Sequence, residues 1–531
     1  MWREVCRLAS IGFCFVLACA STSQAQKRGG VLVLSHIDSP PSPSIQEEGT
    51  SSVSIPFMSM FNNLVIYDQH KPINTFDTIM PELATKWAWN VGSTAITFTL
   101  REGVSWHDGK PFTSADVKCT WEMVSGLVPD KIRKSPRREW WDNLERISVN
   151  GAAEVTFHLK RPQPSFIALL AAGWSAVYPC HVSSDAMRTK PIGTGPFRFV
   201  EFKRNESIRL TRNENYWKPG LPYLDGIEFK IMPSRSTRNL AFISGKVDMT
   251  FPTDVTAPLL NDIRTGAPTA QCVLRPINAN TNIILNREAP PFNNADIRRA
   301  VALSVDRAAF NKILSGGHAD IGAAMLPGPE GQWAMPAEML ATLPGYGPDV
   351  GKNRDEARAL MRKNGYGPEN RLKLKIVTRD IATYRDASLL MSDQMREIFI
   401  DSEVEPADTT QFYNRMFRKD YAMSLNITGN SLDDPDQNFF EHFGCGSIRN
   451  YAGYCNRDLQ ADFVAQSSEP DIEKRRRMVW AIERKLAEDV VRPIIVHDRR
   501  AVCFHAYVKN MTIMTNSTYN GWRWEDVWMD K

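Results

Sequence analysis

The 531-residue sequence predicts an α/β fold, and two patterns carry that reading. Short runs alternate apolar and polar residues with a period of two, as a strand with one buried face does. Runs with a helical period lie between them, so strands and helices interleave along the chain instead of segregating. The length exceeds what one small core holds, and two or three compact units are expected.

In chain order, Ile96, Phe98 and Leu100 alternate with Thr97, Thr99 and Arg101. Asp108 and Gly109 follow as a turn dipeptide that lets the chain reverse. Thr113, with Asp116 three residues on, forms a capping box that opens a helix through Val117, Trp121 and Val124. Val155, Phe157 and Leu159 make a second alternating run, and Ile227, Phe229 and Ile231 a third. Residues 294–314 carry Ile297, Ala300, Val301, Ser304, Val305 and Phe310 at helical spacing. Leu372, Leu374 and Ile376 alternate with Lys373 and Lys375, giving a fourth strand. Residues 389–400 and 472–490 are helical in period, through Leu390, Gln394, Ile398 and Phe399 and through Met478, Ile482 and Leu486. Proline- and glycine-rich punctuation marks boundaries at 191–196, 272–282 and 326–351.

The charge is nearly balanced, 64 basic against 60 acidic residues and a net +4. That excludes a strongly basic nucleic-acid or membrane-surface binder. The run Arg475, Arg476 and Arg477 reads as a solvated helix face. Arg3 and Arg7, the apolar run 8–20 and the small residues around Ala25 read as a secretory signal, residues 1–25, cleaved after Ala25. The run is too short to span a bilayer. Val16, Leu17, Ala18 and Cys19 form an imperfect lipobox, the competing reading, which would anchor the protein by lipid through Cys19. Leu17 fits that motif poorly, so the expected product is soluble and periplasmic. Of nine cysteines, Cys6, Cys14 and Cys19 fall in the signal. No C-x-x-C occurs and the histidines are scattered, so no metal site and no cofactor are expected.

Five motifs in order then point to a family. They are PELATKW at 81–87, TFTLREGVSWHDGKPFTSADV at 97–117, GTGPF at 193–197, NENYWKPGLPYLD at 213–225 and PFNNADIRRAVALSVDR at 291–307. Together they resemble the extracellular solute-binding family 5, the periplasmic receptors that feed ABC importers of peptides, opines and nickel complexes. The resemblance implies a two-lobed periplasmic-binding-protein fold of type II with an extra subdomain in the first lobe. On this chain it implies first-lobe parts at 26–56, 195–275 and 498–531, the extra subdomain at 57–194 and the second lobe at 276–497. It further implies a ligand held between lobes that close by a hinge. The expected partners are a peptide or other small solute and an ABC permease and ATPase complex, with no nucleic acid and a monomeric receptor. Gly193 and Gly195 permit positive φ on both sides of Thr194, which suits a chain passing between lobes, so these three are the hinge candidates. The 97–117 motif is expected to serve folding and not to touch ligand.

The resemblance also selects site residues. Arg379 ends the alternating strand at 372–377, where dipeptide receptors of the family place an arginine on the peptide carboxylate. A guanidinium fork can pair both carboxylate oxygens. The opposite end departs from the pattern. Those receptors carry an aspartate soon after a Thr-Gly step, to pair the ligand's ammonium. Here Thr428 and Gly429 are followed by Asn430 and Ser431, and Asp433 is the nearest carboxylate that the extra residue could swing inward. Asparagine carries no charge to offset a buried ammonium. Asp434, Phe439 and Phe440 match the family and are expected to shape the pocket by packing. Cys445 and Cys455 flank a polar loop that cannot bury apolar surface, and dipeptide receptors carry a similar pair there. A disulfide is expected over two free thiols. The pairing of Cys119, Cys180, Cys272 and Cys503 is open.

The rival class is a secreted hydrolase, but no G-x-S-x-G, H-E-x-x-H or Walker loop occurs. Residues 347–352 fall one residue short of a phosphate loop. A chaperone or signalling receptor on the same scaffold is a further alternative. Within transport, an opine, a sugar acid, glutathione or a metal chelate stays open as ligand.

Overall fold

The alternating runs form the strands Ala95–Leu100, Glu154–Leu159, Gly226–Ile231 and Leu372–Arg379. The structure, a computed structural model, describes residues 26–531 apart from residue 130. The expected signal segment 1–25, with Cys19, lies outside the described residues.

Three larger sheets organise the chain. Ala84–Trp89, Ala95–Leu100, Glu154–Leu159 and Leu144–Val149 form an antiparallel sheet in that order. The helix Ser114–Ser125 follows it, with Thr113 N–H donating to Asp116 Oδ2 at 2.9 Å as the capping box requires. A second sheet orders Val31–His36, Gly226–Ile231, Ser207–Arg212 and Phe197–Lys203, the first pair parallel. The third orders Ile400–Ala407, Leu372–Arg379, Met423–Gly429, Gln271–Leu285 and Ile494–Phe504. Its first two strands are parallel, and the helix Ala382–Arg396 supplies the crossover that parallel strands need.

Both faces of this third sheet are covered. Ile283, Leu285, Ile376 and Met423 face one core, while Ile284 and Val377 face another containing Phe412 and Phe439. The first two sheets share one extended core that joins Leu32, Phe98, Trp121 and Phe229.

Two long strands pair on both sides of a kink. Cys272 to Arg275 pair with Cys503 to Arg500, and Asn280 to Asn282 pair with His497 to Ile494. The register shifts between Pro276 and Asn280, where proline has no N–H to give and Asn278 takes φ +46°. Residues 272–282, expected to be a boundary by their composition, are therefore a kinked stretch inside the 15-residue strand Gln271–Leu285.

The positive φ expected at Gly193 and Gly195, on either side of Thr194, is corrected. Neither glycine takes a positive φ. A Cβ on Gly193 would sit 1.8 Å from the Met60 carbonyl oxygen, and one on Gly195 would sit 2.4 Å from the Met60 carbonyl carbon. Gly195 N–H donates to that carbonyl at 2.9 Å, and Thr194 Oγ1 donates to Asn62 at 3.1 Å. Close approach explains these glycines.

Other expectations shift. Residues 294–314 split into Ala295–Ser304 and Arg307–Ser315, because Val305 is extended and Asp306 caps the second helix through Ala309 N–H at 2.9 Å. The helix expected at 389–400 runs from Ala382 to Arg396, and Phe399 at φ +66° turns the chain into the next strand. Arg475 is buried, not solvated, and donates to Asp434 at 2.8 and 2.9 Å. Cys445 and Cys455 form a disulfide, as do Cys119 with Cys180 and Cys272 with Cys503. Among the described residues, no helix is long and apolar enough to cross a membrane.

Candidate functional site

Leu372–Arg379 ends at the cleft between the lobes, and its last side chain enters that cleft. Arg379 is 1% exposed. Its Nη2 lies 2.7 Å from Asp38 Oδ2, just beyond the first-lobe strand Val31–His36. Nη1 donates to Tyr384 Oη at 3.0 Å, and Nε donates to Thr409 Oγ1 at 3.1 Å. The guanidinium lies 4.9 Å from the Tyr384 ring centre and 5.7 Å from that of Tyr413. Burial opposes the charge on Arg379, but Tyr384 and Asp38 outweigh it and hold the guanidinium above its ordinary range. Asp38 mirrors this. Burial disfavours its carboxylate, and Arg379 and His36 nevertheless keep it below the ordinary range. Ser52 and Thr409 also donate to Asp38.

The cavity beside this pair has a volume of about 40 Å³. Ile37 and Asp254 line it from the first lobe, Ile381 and Ile427 from the second, and Ile277 and Arg500 from the long crossing strands. Of the four residues expected to contact ligand, Arg379 alone lines it.

Asn430 continues Met423–Gly429 and donates its N–H to the Asn278 carbonyl at 2.8 Å. Its Oδ1 lies 3.2 Å from His442 Nε2. Burial, then Arg492 and Arg449, push the His442 imidazole well below its usual range. Ser431 N–H and Oγ both donate to Gln437 Oε1, at 2.9 and 3.1 Å. Asp433 does not swing into the cleft, because its Oδ2 accepts from Gln332 N–H at 2.6 Å and its carbonyl accepts from Trp333 Nε1. The 326–351 excursion thereby holds it on the outer side.

The family model described as "Bacterial extracellular solute-binding proteins, family 5 Middle" matches residues 78–450. The chain belongs to this family. As a family 5 protein it is a transport receptor by class and not an enzyme. It is similar to "Di/tripeptide-binding protein 2" of Pseudomonas aeruginosa (strain UCBPP-PA14), 24% identical over 409 residues, 72% of this chain and 74% of that protein. It is also similar to "Peptide transport periplasmic protein SapA" of Salmonella typhimurium, 24% identical over 75% of this chain and 74% of the other. Its fold matches the dipeptide binding protein of Pseudoalteromonas sp. SM9913 in complex with Met-Leu, at a TM-score of 0.84 and 20% identity, covering 95% of this chain and 100% of that one.

In this family 5 protein Asp434 and Asp436 tie the start of a helix to distant parts of the chain. Asp434 caps the helix Pro435–Phe443 by accepting from Asp436 N–H at 2.9 Å. Asp436 accepts from Ser165 at 2.5 Å and Gln163 at 2.9 Å, and from Gln466 and Ser467. Phe439 stacks on Phe463 with centroids 5.2 Å apart, and Phe440 meets the same ring edge-on at 6.1 Å. A further link joins Trp140 Nε1 to Glu441 Oε2 at 2.7 Å, and Arg449 pairs with the same carboxylate.

Sequence reasoning missed Asp38, Glu441, Arg449 and Arg492. Asp38 lies in an ordinary Asp-Ser-Pro stretch, and nothing local singles it out. One signal was readable: Asn278, Asn280 and Asn282 recur every second residue on an otherwise buried strand, as do Asn426, Thr428 and Asn430 on its neighbour. Polar side chains repeated on one face of a buried sheet must satisfy one another, and Asn282 Nδ2 donates to Asn280 Oδ1 at 2.8 Å and to Thr428 Oγ1 at 3.1 Å.

Proposed function

We propose that this family 5 protein is the exported receptor of an ABC importer, capturing a carboxylate-bearing solute, best read as a short peptide, between its lobes. The observation that carries this reading is the buried Arg379 at the cleft, with its counter-charge Asp38 supplied by the opposite lobe. A solute carboxylate entering an open cleft meets the same guanidinium, and closure then brings both lobes onto the solute. The printed names of the relatives, a di/tripeptide-binding protein and a peptide transport protein, favour a peptide over an opine, a sugar acid or a chelate. The partner in this reading is a membrane permease with its ATPase, the compartment is the periplasm, and the receptor is a monomer.

Closure pivots, in this reading, on the kink at Pro276–Asn280 and on the strand Ile494–Phe504 paired with it. Mass spectrometry of the solute that copurifies with the native protein tests the reading. A carboxylate-bearing solute released on denaturation is expected, and a copurifying solute without an acidic group would overturn it. Small-angle scattering should show a smaller radius of gyration with solute than without.

A further inference from the structure

The interior between the lobes holds more positive charge than its own carboxylates balance, and the excess lies away from Arg379. Arg137, Arg449 and Arg492 are all buried. Arg449 pairs with Glu441. Arg492 has only neutral acceptors: Nε donates to Asn282 Oδ1 at 2.8 Å and Nη2 donates to Thr428 Oγ1. Arg137 donates to the carbonyls of Ile45, Gln46 and Glu48 and lies 4.0 Å from the Trp174 ring centre. The nearby Glu47 and Glu48 carboxylates are taken by Arg188, Arg133 and Lys134. Three guanidiniums therefore share one carboxylate.

Two donors or acceptors at this end also lack any partner, Arg449 Nε and His442 Nδ1. Buried polar groups in native proteins are normally satisfied, so these two atoms call for a partner, which water or a solute's acidic group could supply. The end adjoins the Arg379 site: Gly429 and Tyr519 line the same cavity as Arg379, and Asn430 is the next residue along the chain. Arg379 is itself neutralised by Asp38. An ammonium at the Asn430 end would meet an uncharged carboxamide, a histidine and two arginines, with Glu441 already engaged.

We infer that the Arg449–Arg492 end is a second anion seat, so that the solute carries a further acidic group where a free peptide would carry its ammonium. The inference rests on the proposed receptor reading with Arg379 as the first seat. A peptide capped by a carboxylate, or a small dicarboxylic solute, fits this charge pattern.

The test is calorimetry on protein freed of copurifying solute, with three matched probes: alanyl-alanine, N-acetyl-alanyl-alanine and N-succinyl-alanyl-alanine. They share one carboxylate end and present an ammonium, a neutral amide or a carboxylate at the other. The succinyl probe should bind about tenfold or more tighter than the free amine, with the acetyl probe between them. Arg492→Gln keeps polar contact to Asn282 and Thr428, and should remove about tenfold from the succinyl probe while moving the acetyl probe by less than about threefold. A free amine that binds as tightly as the succinyl probe to the unaltered protein overturns the inference without recourse to any variant. So does an Arg492→Gln loss equal for both capped probes. Where Arg379→Ala weakens all three but their order is flat or reversed, the second seat fails and the receptor reading stands. Where Arg379→Ala changes none of them, or none binds, both fail.

Discussion

Arg379 and Asp38 lie 341 residues apart, yet Nη2 of one and Oδ2 of the other are 2.7 Å apart across the cleft. Each is the other's counter-charge in a buried setting, so either alone would leave an unpaired ion. In the proposed receptor reading a solute carboxylate competes for this guanidinium.

Arg379→Ala should therefore weaken binding of the copurified solute by roughly 2–5 kcal/mol, measured by calorimetry. A change within about twofold is a surface-charge effect and would show that Arg379 does not hold solute.

Asp38→Ala removes the first-lobe half of the pair and leaves Arg379 with Tyr384 and Thr409. In the absence of solute the radius of gyration by small-angle scattering should rise, because one buried cross-lobe bond is gone. An unchanged radius would assign closure to the Asp436 and Glu441 contacts instead.

Asn430→Asp puts a carboxylate beside His442 Nε2. Burial, Arg492 and Arg449 keep that imidazole neutral in the fold, so its folded pKa lies below the unfolded one. Its contribution to stability is present above pH ~6.5 and is lost as pH falls toward the folded pKa. The new carboxylate favours the imidazolium, so the His442 titration followed by NMR should move up by about 1–2 units, and the acid loss should become shallower. No movement would mean that the side chain of residue 430 points elsewhere in solution.

Glu483 is buried, with Oε1 accepting from Met325 N–H at 2.7 Å and Oε2 without a partner. Burial raises its carboxyl to about 8. The fold thus prefers the protonated form, and stability from this group is lost as pH rises from ~4.5 to about 8. Glu483→Gln should flatten that slope and stabilise the protein at pH 8 by about 2–4 kcal/mol in urea unfolding. An equal pH slope in both proteins would refute the assignment.

The Cys445–Cys455 bond closes a loop of sequence separation 10. Cys455→Ser should cost about 2–3 kcal/mol in the same assay, mostly through a less constrained unfolded chain. A loss below ~0.5 kcal/mol would show that hydrogen bonds of the Asn450 side chain to the Gly444 and Tyr454 carbonyls hold the loop unaided.

Local chemistry made much of this molecule legible in its residues. The alternation at residues 96–100, 155–159, 227–231 and 372–376 became strands, because one buried face needs a period of two. The Thr113–Asp116 box became a helix start, since its hydrogen bonds lie within four residues. The family motifs were likewise readable from sequence alone. What sequence misjudged was anything decided by a distant partner. The glycines at 193 and 195 looked like freedom for a hinge, but they are small because Met60 comes within contact of them. Arg475 looked solvated until Asp434 was found beside it. Asp38, Glu441 and Arg492 carry no local pattern at all, because a charge becomes functional through what surrounds it. Only the tertiary structure brings Asp38 to Arg379 and Trp140 to Glu441, since such pairings depend on how segments distant in the sequence pack together.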